Sequence, residues 1–345
     1  MYGEPAYRWR EPEWRSTAEA WIREQASRAG REISGNIAGV RFLPWSAVLR
    51  APTASGDLYF KACGSSQRHE PSLAAFLAVA RPDCMIPVLA SDEMRGWYLM
   101  PDGGATLTTA LQNPRDEFEH WARGLRLQAG VQRDLLPQSE RLLALGVPDR
   151  RPAALAGYLT QLLEQPEILL VGYPGGMTAE EVEELSRSIP RLEDLCHELA
   201  ALGPPDTFVH DDFHEDHIFA APQPGGLWRY VFFDFGDACV GHPFIQLISQ
   251  PRFAGNRFGP EADPIQTQLR EVYLAEWRDF AAAAALERAA ALALVAGCVV
   301  RALTWVNACR EHLDELSLDL RHAYATRLAF WLGQIDERMA RLAAP

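Results

Sequence analysis

Residues 209–243, VHDDFHEDHIFAAPQPGGLWRYVFFDFGDACVGHP, constrain this chain more than any other stretch. Both ends are acidic: HDDFHEDH at 210–217 and DFGD at 234–237. Ile218, Phe219 and the aromatic run 228–233 have strand composition, and the PQPGG between them is a turn, so the middle is a β-hairpin. Closing the hairpin is expected to bring Asp212 and His217 near Asp234. Carboxylates converging at strand ends suit a divalent cation and a phosphate ligand.

A second feature lies far upstream. Of 33 basic residues only Lys61 is lysine, and the remaining 32 are arginine. Lysine is a slim point charge on a flexible stem, suited to reaching a phosphate, whereas arginine is a broad planar fork. The alternation at 58–63 puts Leu58, Phe60 and Ala62 on one face and Tyr59, Lys61 and Cys63 on the other, so Lys61 projects from a strand. Glu70 is the only carboxylate between Lys61 and Asp83. It is either the lysine's ion partner or a helix-start glutamate facing the dipole.

The surrounding pattern is that of an α+β chain. Ser16-Thr17-Ala18-Glu19 matches a capping box and predicts a helix over 16–29, with Trp14, Ala18, Trp21, Ile22 and Ala26 on its apolar side. Residues 32–63 read as β-structure, with strands at 45–50 and 58–63. Pro71 suits the first turn of a helix, and strands are expected at 86–90 and 96–100. Pro101-Asp102-Gly103-Gly104 then ends the strand-like composition. Helices are expected at 118–129, 138–145, 151–163, 179–188 (opened by a capping box at Thr178), 191–202, 262–284, 286–310 and 316–342, with Trp277, Trp305 and Trp331 in their core. The expected organisation is an N-terminal helical segment (1–31), a sheet-bearing lobe (32–101) and a helical lobe (102–345) carrying the hairpin at 209–243. A ligand cleft is expected at the hinge.

With Lys61, Glu70, HDDFHEDHIF and FFDFGD in place, the chain resembles the aminoglycoside phosphotransferase and choline kinase superfamily. These are small-molecule kinases with a two-lobe, protein-kinase-like fold, and the likeness extends over roughly residues 32–342. The resemblance implies ATP and Mg²⁺ as cofactors. It makes Asp212 the catalytic base and Asp234 a metal ligand, and it places Lys61 on the nucleotide phosphates with Glu70 orienting it. Trp97, Tyr98, Leu99 and Met100 become the segment against which adenine stacks and hydrogen-bonds. The family motif H-G-D-x-H-x-x-N ends in asparagine, but His217 stands there, and Mg²⁺ prefers oxygen ligands to imidazole. No GxGxxG occurs, so nucleotide clamping is expected from Ser46 or backbone N–H groups. Gln246 stands where relatives often carry a structural acid.

Two other readings use the same residues. One is a pseudokinase, a nucleotide-binding module with weakened transfer, motivated by His217. The other is a metal-dependent hydrolase built on His210, Asp212, His214 and His217. Asp211 is expected to be solvated or to cap the loop. A formal charge of −13 disfavours nucleic acid and anionic membrane as partners and suits a cationic small-molecule hydroxyl acceptor, or plain solubility. Aminoglycosides, choline-like amines, amino alcohols and sugars are all acceptor classes consistent with the resemblance. The apolar run 289–300 stops at Arg301 and is too short to span a bilayer. The N-terminus has no signal-peptide core, and the six cysteines form no CxxC pair, so free thiols in a cytoplasmic protein are expected.

Overall fold

Proline sets the start of the first helix. In the computed structural model, which describes Trp9 and residues 11–111, 114–249, 258 and 262–343, helix α1 is Pro12–Arg28 and begins four residues ahead of the capping-box pattern. Pro12 occupies the first turn, where its missing N–H costs nothing, and Glu19 pairs with Arg15 one turn back instead of capping. The expected face is buried: Ala18, Trp21, Ile22 and Ala26.

That face packs on an antiparallel sheet of five strands: β1 (Ala38–Leu43), β2 (Ser46–Ala51), β3 (Leu58–Cys63), β4 (Ala90–Asp92) and β5 (Trp97–Pro101), in the order β1-β2-β3-β5-β4. Leu49, Leu58, Phe60, Trp97 and Leu99 meet α1, and the Trp97 ring contacts those of Trp21 and Phe60 edge-on. Burying each large ring contributes about 2–3 kcal/mol, which anchors the sheet before any polar group is considered. The expected strand at 86–90 is displaced to β4. Pro87 has no N–H for a ladder, and Cys84 and Ile86 bond to Phe232 instead (Phe232 N–H to Cys84 O 2.7 Å, Ile86 N–H to Phe232 O 3.0 Å).

The central hairpin forms as the sequence implies. Ile218 pairs with Phe232 and Gln223 with Leu227, joining β7 (Ile218–Gln223) to β8 (Leu227–Phe232). Gly225 and Gly226 take positive φ at its turn. By its contacts the chain divides into two units. The first comprises residues up to Ala110, Asp216–Gly236 and Asn307–Arg321. The second comprises Leu111–Glu215, Asp237–Val306 and the residues from His322. The hairpin thus belongs with the sheet, not with the helical region where it was expected. Its bonds to Cys84 and Ile86, and from Ala220 N–H to Ala105 O, explain why. Gly103 permits this approach, since a Cβ there would overlap the Phe219 ring.

The second unit is helical. It contains α4 (Pro114–Leu135), α5 (Ser139–Ala144), α6 (Pro152–Leu163), α7 (Ala179–Ala201), α8 (Ala262–Ala275), most of α9 (Ala283–Cys309) and most of α10 (Leu318–Ala343), α2 (Glu70–Ala80) and the short α3 (Leu107–Ala110) being in the first. Thr178 and Glu181 complete the expected capping box in both directions. The expected break at Pro190 does not occur. One helix runs through it, with Leu185, Leu192, Cys196 and Leu199 buried along one side to offset a proline cost of about 3 kcal/mol. Trp277 is fully buried as expected, whereas Trp305 and Trp331 are half-buried. By length and composition the segment from α9 to Glu315 could cross a membrane, but 78% of its most apolar window is buried within the protein. A short antiparallel pair, β6 (Thr207–Val209) with β9 (Cys239–Gly241), sets Val209 opposite Cys239. It thereby holds the first acidic cluster beside Asp237. All six cysteines are buried free thiols.

Candidate active site

In the first unit, four expected residues converge. Lys61 projects from β3, 3% exposed, with Nζ 2.7 Å from Glu70 Oε2 and 2.6 Å from Asp234 Oδ1. Glu70, the first residue of α2, is fully buried and also accepts from Cys63 Sγ (3.2 Å), Tyr98 Oη (2.9 Å) and Phe235 N–H (3.0 Å). A carboxylate with this many donors is fixed in place. Burial alone would raise the Asp234 carboxyl, but Lys61, then His217 and Arg41, outweigh it and hold it well below the usual carboxylate range. Burial would likewise lower the Lys61 ammonium, yet Asp234 and Glu70 raise it instead. Lys61 and Asp234 are therefore held in their charged forms. Its narrow seat between two carboxylates accounts for lysine where the chain otherwise uses arginine.

Asp234 adopts φ 63°, in the left-handed region that aspartate tolerates better than most residues. Its Oδ2 faces His217 Nε2 at 3.5 Å and Arg41 Nη2 at 3.2 Å. Ser46 is buried at the start of β2, opposite Cys63 and on the Lys61 side of the sheet. The expectation for residues 97–100 is corrected. β5 is an inner strand, with Tyr98 paired to Lys61 on one side and Ser91 on the other, so its ladder groups are occupied. Trp97 and Leu99 point into the aromatic core, and Tyr98 is spent on Glu70. Only Met100, at the strand's end and on the Lys61 side, keeps a position suited to a flat ligand.

In the second unit, Asp212 follows a tight turn in which its N–H donates to His210 O at 2.8 Å. Its partly exposed carboxylate lies 3.4 Å from Arg301 Nη2 and 3.5 Å from His214 Nε2. Asp211 overturns its expectation of a solvated or capping role. It is fully buried at φ 62°, ion-paired to Arg301 Nη1 at 3.0 Å and accepting from Thr304 Oγ1 at 2.8 Å. Burial pushes its carboxyl up, and Arg301 and Thr304 offset only part of that. Arg301 also reaches Asp237 at 3.7 Å, and despite its burial these acids raise its pKa further. Arg301 was missed by sequence reasoning. Its signal was a single charge in the otherwise apolar stretch of α9 that follows Arg288. Gln246 supplies the structural acceptor anticipated at its position, taking the His210 N–H at 3.0 Å and Gln128 Nε2 at 3.4 Å. The His210 ring is buried against Phe208 and Phe213, which removes it from the histidine set of the hydrolase reading.

Solved structures share this architecture along nearly the whole chain. A choline/ethanolamine kinase family protein from Mesorhizobium loti is 18% identical, with a TM-score of 0.56 over 94% of this chain and 98% of that one. Macrolide 2'-phosphotransferase type I is 14% identical, with a TM-score of 0.55 over 91% and 97%. A GDP complex of aminoglycoside 2'-phosphotransferase-IIIa is 13% identical, with a TM-score of 0.54 over 94% and 98%. A comparison of the sequence with curated proteins finds no match. A five-stranded antiparallel sheet followed by a mainly helical region, as in these structures, is the kinase-like fold of small-molecule kinases. The chain belongs to the phosphotransferase enzyme family, whose sequence model matches residues 66–286, and it is a small-molecule kinase. Lys61 lies ahead of that match, so its part rests on its geometry.

Proposed function

We propose that this kinase transfers the γ-phosphate of ATP to a hydroxyl of a small, amine-bearing molecule. The observation that carries this is the buried triad of Lys61, Glu70 and Asp234, whose charges have no purely structural use that an apolar trio would not serve as well. Lys61, oriented by Glu70, binds nucleotide phosphate oxygens, with Ser46 beside it and Met100 toward the base. Asp212 orients the acceptor hydroxyl and takes its proton as the oxygen–phosphorus bond forms and ADP leaves. The Asp234 carboxylate, held in its ionised form, is an oxygen donor of the kind Mg²⁺ requires, and His217 beside it would add at most a weak nitrogen donor. Bound there, Mg²⁺ would neutralise charge on the phosphates. The formal charge of −13 favours a cationic acceptor, and the relatives named for macrolides, aminoglycosides and choline or ethanolamine define the first acceptors to try.

The test is product formation from ATP or GTP against a panel of such acceptors, with nucleotide affinity measured in parallel. The native protein should phosphorylate one class. Asp212→Asn should lose about 10²–10⁴-fold in turnover while binding nucleotide normally. Full transfer by Asp212→Ala would sink the assignment. His217 motivates the second reading, a nucleotide binder with weakened transfer. Its signature is native binding without product, and turnover that appears on His217→Asn.

A further inference from the structure

The sheet carries a cation that the phosphate-binding residues considered above do not include. Arg41 in β1 pairs with Val48, Val48 with Lys61 and Lys61 with Tyr98, so the four form one row across the sheet on a single face. A β-bulge interrupts β1 between Gly39 and Arg41. Bulges re-aim the side chain that follows them and recur beside functional sites. Here the guanidinium is aimed at Asp234, the same carboxylate that Lys61 holds.

The loop that follows is poor in phosphate ligands. Kinase-like enzymes usually cover the phosphates with a glycine-rich loop whose backbone N–H groups face the oxygens. In this chain Leu43 pairs directly with Ser46, leaving only Pro44 and Trp45 between β1 and β2. Pro44 has no N–H, and neither residue is glycine. A two-residue turn cannot wrap a triphosphate, so positive charge has to come from a side chain. Arg41 has the right chemistry, since a guanidinium presents paired donors that match phosphate oxygens. It also has the freedom. Lys61 is 3% exposed and wedged between two carboxylates, whereas the Arg41 side chain is 48% exposed and makes one ion pair of 3.2 Å, which is a weak tie.

We propose that Arg41 is a nucleotide-phosphate anchor of this kinase, supplying from strand β1 the charge that a glycine-rich loop would otherwise provide as backbone donors. The Asp234 carboxylate is then its resting partner, exchanged for phosphate when nucleotide binds. This rests on the kinase reading.

Isothermal titration of ATP and of adenosine, each with and without Mg²⁺, tests it on the native protein, Arg41→Gln and Arg41→Lys. Arg41→Gln should weaken ATP by about tenfold or more and leave adenosine unchanged, because only ATP carries the phosphates. Arg41→Lys should recover part of the loss. Melting temperature should hardly move, since the side chain is half-exposed. Equal loss for ATP and adenosine, or none for ATP, overturns the proposal while native ATP binding keeps the kinase reading intact. A native protein that binds no nucleotide at all overturns both.

Discussion

The two units solve one problem in opposite ways. Each buries a cation among carboxylates, and each holds one aspartate at positive φ, Asp234 at 63° and Asp211 at 62°. Around Asp234 the basic groups are in excess: Lys61, Arg41 and His217. Around Arg301 the acids are in excess: Asp211, Asp212 and Asp237. Burial raises both carboxyls, and the outcome depends on whether the neighbouring bases outweigh it. Asp234 is held well below the ordinary carboxylate range, and Asp211 is raised above it. A carboxylate crowded by cations is a fixed anion, good for holding a cation or exchanging one for phosphate. A buried acid that its arginine offsets only in part, as Asp211, retains proton affinity.

Removing each cation probes this difference. Lys61→Met leaves Glu70 fully buried without its ammonium and should cost about 3–5 kcal/mol in urea unfolding, together with nucleotide binding. Arg301→Met should cost less, about 2–4 kcal/mol, because Asp211 can take up a proton in place of its partner. That loss should shrink as the pH is lowered from 8 to 5, and Asp211→Asn should restore much of it. An Arg301→Met defect as large at pH 5 as at pH 8 would break the comparison.

Each unit also buries a histidine whose pKa is pushed down to about 4. For His69 burial and then Lys61 are responsible; for His242 burial alone is, against a Leu202 carbonyl contact that acts the other way. Both are neutral when folded and bind a proton when unfolded below about 6.5. Their stabilisation is therefore complete above pH 6.5 and is lost as the pH falls toward 4, up to about 3 kcal/mol for each. Asp206, raised to about 6 by burial, opposes this trend between roughly 4 and 6. Urea midpoints across that range should fall on acidification, and His242→Asn should flatten the slope. The smallest effect belongs to Gln246→Leu. It strands the buried His210 N–H and should cost about 1–3 kcal/mol, with turnover falling through the displaced Asp212 loop.

What could be read from the sequence was local. The period-two alternation at 58–63 and the turn residues of the hairpin carry their own geometry, and both formed as expected. Thr178 and Glu181 made a capping box, while Ser16 and Glu19 carry the same letters and did not, because Pro12 had already begun the helix. Residues 97–100 gave an apolar run with nothing to say that strands would flank it on both sides. Arg301 and Arg41 find their acids 90 and 193 residues away. No spacing rule spans such distances, and Asp211 was misjudged because its fate depends on one of them.

The ion pair between Lys61 and Asp234 spans 173 residues of chain. At about 5–20 residues per second, synthesis of that interval takes roughly 10–35 s. The sheet therefore leaves the ribosome with its lysine matched only by Glu70, and the last part of its unit, Asn307–Arg321, arrives later still. Since the chain passes between the units at residues 110, 215, 236, 306 and 321, no single cut yields either one whole. The nascent protein must hold its buried lysine with only one of two acids through about half of its own translation, and a product truncated in that interval would carry the sheet without Asp234.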